Sequence, residues 1–303
     1  MILRAGHLST LYHTSIMMMA RPGLLAGFQA HIEWRLFGTG PEIVRAFEAG
    51  GLDMAYIGLP PAVIGISRGL PLRCIAGGHI EGTVIASHAG AVGYPEEEDP
   101  GAILSPMRAI GVPGRGSIHD LILMDLLDRH GLSVEVRNLP WADEVLEAFA
   151  RGEVDAVVGT PALAEAVRRF TGGKIIYPPH LLWPDNPSYG IVVREDLIEK
   201  DRGLLGDFLV IHEGASEVLR TRRQEASAEI AGLIGVVDEG FVRETLGISP
   251  RYCASLSEGY MRCAMRLARR LRELGYTERE VREDEVFDPS IIREVHPGPP
   301  HYR

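Results

Sequence analysis

Apolar, β-prone runs alternate with helix-spaced stretches along the first two thirds of the chain. Residues 2–5 read as a short strand, followed by a loop at Gly6-His7-Leu8-Ser9-Thr10, with Ser9 or Thr10 placed to cap a helix over 11–20. Residues 31–37 alternate as a strand, Gly38-Thr39-Gly40-Pro41 breaks it, and a helix runs to 49 with Pro41 in its first turn. A strand over 52–57 ends at Gly58-Leu59-Pro60-Pro61, and a helix follows to 68. A strand over 72–76 ends at Gly77-Gly78-His79. Further strands are expected at 108–112, 133–138, 156–158, 174–177 and 190–193, with helices over 118–129 and 141–151. Residues 90–107 read as an acidic, breaker-rich surface loop, residues 204–275 as almost wholly helical, and the end as an irregular tail packed on the body. This alternation predicts an α/β fold of mostly parallel sheets flanked by helices. Ligands of such sheets sit beyond the carboxyl ends of the strands.

One pattern occurs twice. Residues 42–60 and 144–161 share Ala-Phe (46–47 and 148–149), a turn glycine (Gly50 and Gly152), an aspartate (Asp53 and Asp155) and a Gly-x-Pro loop (58–60 and 159–161). Each copy reads as helix, tight turn, buried strand and loop. A spacing of about 100 residues is too long for a solenoid and predicts two related lobes, each presenting one Gly-x-Pro loop to a shared cleft.

Composition narrows the partners. A net charge of −10 argues against nucleic acid, which needs a basic surface. The chain has two lysines, Lys174 and Lys200, so a lysine-based Schiff base has few candidates. Its three cysteines, Cys74, Cys253 and Cys263, form neither a disulfide framework nor a metal motif by spacing and are expected to be packing residues. No apolar run is long enough to span a membrane. The first residues read directly as strand, without a basic start, apolar stretch and cleavage site. That implies either a cytoplasmic protein or a sequence lacking its export signal.

The same repeat carries a family resemblance. Residues 49–62, Ala-Gly-Gly-Leu-Asp-Met-Ala-Tyr-Ile-Gly-Leu-Pro-Pro-Ala, resemble a segment of the solute-binding proteins of ABC importers in the nitrate, sulfonate, taurine and thiamine-pyrimidine-precursor group. So do residues 67–77, residues 110–117 with His119, and residues 152–156. The resemblance covers most of residues 1–250. It implies the two-lobed type II periplasmic-binding fold, with one lobe of residues 1–88 plus 190–303 and another of 89–189. It further implies a small-molecule ligand, a partner permease and ATPase, and a periplasmic or cell-surface location. The function it implies is capture of a small organic or inorganic anion (sulfonate, nitrate or pyrimidine-like) in the inter-lobe cleft. The alternative is a cytoplasmic enzyme or ligand sensor on the same fold. Three enzyme groups of this fold are similar in outline: a pyridoxal-phosphate pyrimidine synthase, a cysteine-dependent desulfinase and futalosine-pathway lyases. Their lysine, cysteine and other motifs are not found here.

The strand-end rule gives the candidate ligand-binding residues. From the first lobe these are Ser9, Thr10, His13, Thr39, Gly58, Leu59, Pro60, Gly78 and His79. From the second they are Arg115, Gly116, Ser117, His119, Thr160 and His180. Pro113-Gly-Arg-Gly-Ser117 before a helix is the best anion loop: helix N–H groups and the helix dipole favour negative charge, and Arg115 is placed to pair with a carboxylate or sulfonate. Trp141, after Pro140, is placed either to stack on a flat ligand or to pack under its lobe. No catalytic residue, metal site or cofactor is expected.

Overall fold

The computed structural model describes residues 1–302, whose ten strands divide between two five-stranded sheets. The first sheet holds β1 (Ile2–Leu8), β2 (His31–Phe37), β3 (Met54–Ile57), β4 (Leu72–Ile80) and β10 (Pro187–Arg194), in the order β2-β1-β3-β10-β4. The second holds β5 (Val84–Ser87), β6 (Ala109–Pro113), β7 (Glu135–Leu139), β8 (Ala156–Gly159) and β9 (Lys174–Tyr177), in the order β7-β6-β8-β5-β9. The sheets share one arrangement: β1 lies between β2 and β3, and β6 between β7 and β8, parallel to both neighbours. The strand arriving from the other half then inserts antiparallel, β10 in the first sheet and β5 in the second. Both sheets are therefore mostly parallel, as expected, with one reversed strand each.

The repeated residues explain this likeness. Gly50 and Gly152 both adopt a positive φ, 68° and 70°, which glycine reaches without steric cost. The next residue's N–H then bonds back into the helix, Gly51 to Ala46 and Glu153 to Ala148. Asp53 accepts the backbone N–H of Arg4 at 2.8 Å and its guanidinium at 2.6 and 3.0 Å. Asp155 does the same for Arg108, at 2.7 Å from the backbone and 2.6 and 3.2 Å from the guanidinium. In both lobes an aspartate entering the third strand thus fixes an arginine at the base of the first.

Several elements differ from the sequence reading. β1 continues through Gly6-His7-Leu8, because it pairs with β2 over its whole length. The helix after it begins at Thr14, with His13 as its N-cap and no side-chain cap from Ser9 or Thr10. β4 does not end at Ala76 but runs through Gly78 and His79 to Ile80, held by β10. A β-carbon on Gly78 would lie 2.0 Å from the Tyr189 ring, so glycine there makes room for the tyrosine rather than breaking the strand. β5 has no counterpart in the sequence reading. The acidic stretch contains a short helix, Pro100–Leu104, capped by Asp99. The helical region splits into Arg202–Thr221, Arg223–Ile234, Glu239–Ile248 and Glu258–Glu273. Between the last two, an extended segment lies against β4, with hydrogen bonds from Ile80 to Arg251, Cys253 to Gly78 and Gly77 to Ala254.

The chain passes between sheets twice, at 81–83 and again just before β10. At each passage a non-glycine residue has a left-handed backbone, Glu81 (φ 59°) and Asp185 (φ 61°). The two passages bond to each other: Glu81 N–H donates to the Asn186 carbonyl at 2.8 Å, and Asp185 N–H to the Glu81 carboxylate at 3.1 Å. The expected crossings after 88 and 189 fall a few residues past these points. The helix Glu239–Ile248 packs on Pro161–Thr171, and Glu258–Glu273 touches Ile118–Arg129, so the C-terminal helices also brace the second sheet.

Candidate functional site

A cavity of about 470 Å³ lies between the loops of the two sheets. Six residues that cap helix N-termini line it: His13, Thr39, Gly58, Ser117, Trp141 and Thr160. Three come from each sheet's half, and they follow the first, second and third strand of that half. The N-terminal N–H groups of a helix lack partners within it and carry its positive dipole end. The cavity is therefore rich in positive partial charge without a cation. Among the described residues, the only acidic or basic side chain lining it, histidines apart, is Asp143, which is exposed.

The caps are built locally. The Glu42 carboxylate takes the N–H of Gly38 at 2.9 Å and of Thr39 at 3.3 Å. Ser117 Oγ donates to the Pro113 carbonyl at 2.7 Å and accepts the Asp120 N–H at 3.2 Å. Thr160 Oγ1 accepts the Leu163 N–H at 3.2 Å. Thr10 and His13 also line this space, and their Oγ1 and Nδ1 atoms are buried and without a hydrogen-bond partner. Buried polar atoms are rarely left unpaired, so these two stand out beside the cavity. Apolar side chains, among them Leu8, Leu11, Leu146, Leu163 and Val237, cover much of the remaining wall.

The loops meet across the cleft. A β-carbon on Gly38 would come within 2.8 Å of the Trp141 ring, one on Gly114 within 2.7 Å of Thr39, and one on Gly58 within 3.5 Å of Ile118. The glycines of the first loop and of Pro113-Gly-Arg-Gly-Ser117 thus let the two halves close on each other.

Of the fifteen residues expected at the site, the cavity wall contains Ser9, Thr10, His13, Thr39, Gly58, Ser117, His119 and Thr160. The other seven lie elsewhere. Leu59 and Pro60 are buried in the first turn of their helix, and Pro61 faces the cavity in their place. Gly78 and His79 belong to β4; His79 stands behind the wall, bonding Ser188 Oγ at 2.9 Å and the Ser249 carbonyl. Arg115 is exposed, because Gly114 and Gly116 turn the loop with positive φ of 60° and 81°. Its guanidinium lies 5.9 Å from the Tyr276 ring centroid, and with Gly116 it lines a separate surface cleft. His180 is exposed on the short helix after the edge strand β9.

The NMT1-like family model matches residues 2–235. The chain belongs to the NMT1-like family. A Brucella abortus (strain 2308) relative named "Putative binding protein" is 26% identical over 242 residues, covering 78% of this chain and 72% of that one. Among solved structures, the alkanesulfonate-binding protein SsuA from Xanthomonas axonopodis pv. citri, bound to MOPS, superposes with a TM-score of 0.81 at 17% identity. That match covers 94% of this chain and 98% of the other. The ligand-binding component of an ABC-type import system from Staphylococcus aureus, with zinc bound, gives 0.80 at 15% identity over 98% and 99% of the two chains. These likenesses show the fold: it is the two-lobed fold of periplasmic binding proteins.

In this NMT1-like chain the cavity histidines are held neutral. Burial pushes His119 down to about 4, and its Nδ1 lies 3.0 Å from Thr83 Oγ1. Burial, with the neighbouring histidines, carries His13 well below the ordinary imidazole range. Sequence reasoning did not find Tyr12, Ser188, Val236 or Val237, all of which line the cavity. Tyr12, expected inside the first helix, precedes it, because that helix begins at Thr14. Ser188 enters on the reversed strand β10 and receives the Gly82 N–H at 2.6 Å; no local signal marks it. Trp141 lines the cavity and packs across the cleft against Gly38 of the other half rather than under its own lobe.

Proposed function

We propose that the protein is a solute-binding component that captures a small organic anion between its lobes outside the cytoplasmic membrane and delivers it to an ABC permease driven by its ATPase. The observation that carries this reading is the convergence of six helix N-termini on one cavity whose side-chain donors are neutral. An anionic head group would sit among these termini, with Thr10, His13 and Thr160 as side-chain partners. The apolar wall suits a carbon-bearing body. A cavity of about 470 Å³ falls within the size range of organic ligands and leaves a bare nitrate ion mostly uncontacted. The sulfonate ligand class named for the Xanthomonas structure supports the same assignment. The lobes, expected as residues 1–88 with 190–303 and residues 89–189, part in their sheets at the paired passages near Glu81 and Asp185, and would close by rotation about those passages.

A thermal-shift screen of alkyl and aryl sulfonates, carboxylates, nitrate and pyrimidines, followed by mass spectrometry of the hit, tests the reading. The expected result is stabilisation by an organic anion recovered unchanged. Conversion of the hit to product would overturn the binder assignment, and a response to neutral compounds alone would overturn the anion assignment.

A further inference from the structure

A second cluster of chemically capable side chains lies outside the solute cavity and none of its residues lines that cavity. Glu213 stands on the helix Arg202–Thr221, Cys253 on the extended segment beside β4, and His296 and His301 in the last residues of the chain. Cys253 Sγ is 3.5 Å from His296 Nε2 and 3.6 Å from His301 Nδ1. The two ring nitrogens are 3.2 Å apart, and His301 Nδ1 is 3.2 Å from Glu213 Oε1. All four donor atoms fall within 4.8 Å of one another.

Four of the six donor spacings, 3.2–3.6 Å, match a metal's coordination shell, and the other two lie within 4.8 Å. A tetrahedral zinc with its usual bond lengths sets nitrogen, oxygen and sulfur donors roughly 3.3–3.6 Å apart. One thiolate, two imidazoles and one carboxylate form a borderline-soft set that suits Zn²⁺. Hydrogen bonding within the cluster explains it less well. Two imidazole nitrogens facing each other can share only one proton, and sulfur is a weak partner for both.

The surroundings orient the donors. The N–H groups of Ser255 and His301 point at the sulfur, at 3.5 and 3.3 Å, as they would toward a thiolate. Ala254 N–H holds Glu213 Oε2 at 2.9 Å, leaving Oε1 toward the cluster, where Arg220 also reaches it at 3.3 Å. The Tyr302 hydroxyl donates to the Cys253 carbonyl at 2.9 Å and anchors the chain end beside the site. Cysteine and histidine here stand more than 40 residues apart, so no short motif announces them.

We propose that Glu213, Cys253, His296 and His301 bind one Zn²⁺, which staples the end of the chain to the segment beside β4. The test uses the full chain, stripped with a chelator and titrated with zinc alone, and with Co²⁺ as a spectroscopic probe. The expected result is one zinc per chain by elemental analysis, and a Co²⁺ spectrum with a sulfur charge-transfer band and tetrahedral visible bands. His296→Ala and His301→Ala should each weaken zinc by more than about 100-fold, since losing even an outer-shell partner costs 10–100-fold. His180→Ala, at an exposed histidine outside the cluster, should bind as the unaltered chain does. Cys253→Ser should abolish the sulfur band; should that variant fail to fold, the two histidine variants decide. Zinc should also slow proteolysis of residues 296–302. Substoichiometric uptake, an octahedral Co²⁺ spectrum without the sulfur band, or equal affinities for His301→Ala and His180→Ala would overturn the proposal.

Discussion

The two halves of the molecule share a scaffold and divide the work. Both use a left-handed glycine after the second helix, an aspartate that grips the first strand's arginine, and N-terminal caps on three helices that face the cavity. The differences lie in what surrounds that shared frame. The first half offers unpaired polar atoms, Thr10 Oγ1 and His13 Nδ1. The second offers caps whose hydroxyls are already partly spent: Ser117 Oγ both donates and accepts within its own loop. Repetition thus fixes where the loops stand, and the unrepeated side chains within them set what each loop can hold. The first half also carries the longer fourth strand, nine residues against four in β9, extended by the segment around Cys253.

The comparison is broken most severely at that long strand. Gly78→Ala places a methyl inside the Tyr189 ring and should cost about 3 kcal/mol or more, read as a fall in the urea midpoint. Gly172→Ala, in the turn before β9, meets no atom within 4 Å and should cost about 1 kcal/mol from its positive φ alone.

Acid should act on both halves through buried imidazoles. Burial pushes His79 and His119 down to about 4, while the unfolded chain protonates near 6.5. The unfolded state therefore binds more protons between these values, and stability is lost as pH falls from about 6.5 toward 4. Each histidine accounts for about 3 kcal/mol at most, at about 1.4 kcal/mol per unit. Denaturation curves of His119→Asn should show a flatter pH dependence than the unaltered chain across that window.

The arginine grips should differ in degree. Burial pushes the Asp53 carboxyl up, but the Arg4 hydrogen bonds outweigh it and hold it below the ordinary range. The Arg108 hydrogen bonds lower Asp155 to about 2. Arg108 is far more exposed than Arg4, 80% against 33%. Asp53→Ala should therefore cost about 2–3 kcal/mol and Asp155→Ala about 1–2 kcal/mol, the scale of hydrogen bonds to charged groups. Equal losses would show that solvent at Arg108 does not weaken its pair.

The smallest effects separate cap from contact. Thr10→Val should lower ligand affinity about tenfold, the loss of about 1.4 kcal/mol, with little change in stability. Ser117→Ala should instead cost about 1 kcal/mol of stability as a lost cap and change affinity less. The reverse ranking in isothermal titration would shift the ligand's polar end into the second half.

The repeat was legible because its residues are fixed by backbone demands: Gly50 and Gly152 by positive φ, Asp53 and Asp155 by free N–H groups beside them. Half of the expected site residues reached the cavity because strand-end loops converge in this fold. Gly78 and His79 misled for a physical reason. A glycine pair looks like a strand break, whereas here Gly78 accommodates Tyr189 and Gly77 the segment at Cys253–Ser255, each more than a hundred residues away. Arg115 misled because flanking glycines decide which way a loop side chain turns. Ser188 and the Cys253 cluster were out of reach, since both depend on segments brought together only by the reversed strand and the chain end.

The absence of arginine and lysine from the cavity lining has a kinetic consequence. The chain carries a net charge of −10, and among the described residues no arginine or lysine lines the cavity, where Asp143 does. An incoming anion is therefore repelled at long range and attracted only at contact, because helix-terminal N–H groups act within about one turn. Added salt screens the repulsion over about 10 Å at 0.1 M and leaves the contacts largely intact. Capture should consequently speed up as ionic strength rises, the opposite of a cleft that steers its ligand with arginine. In the proposed role, release would in turn require no ion pair to break.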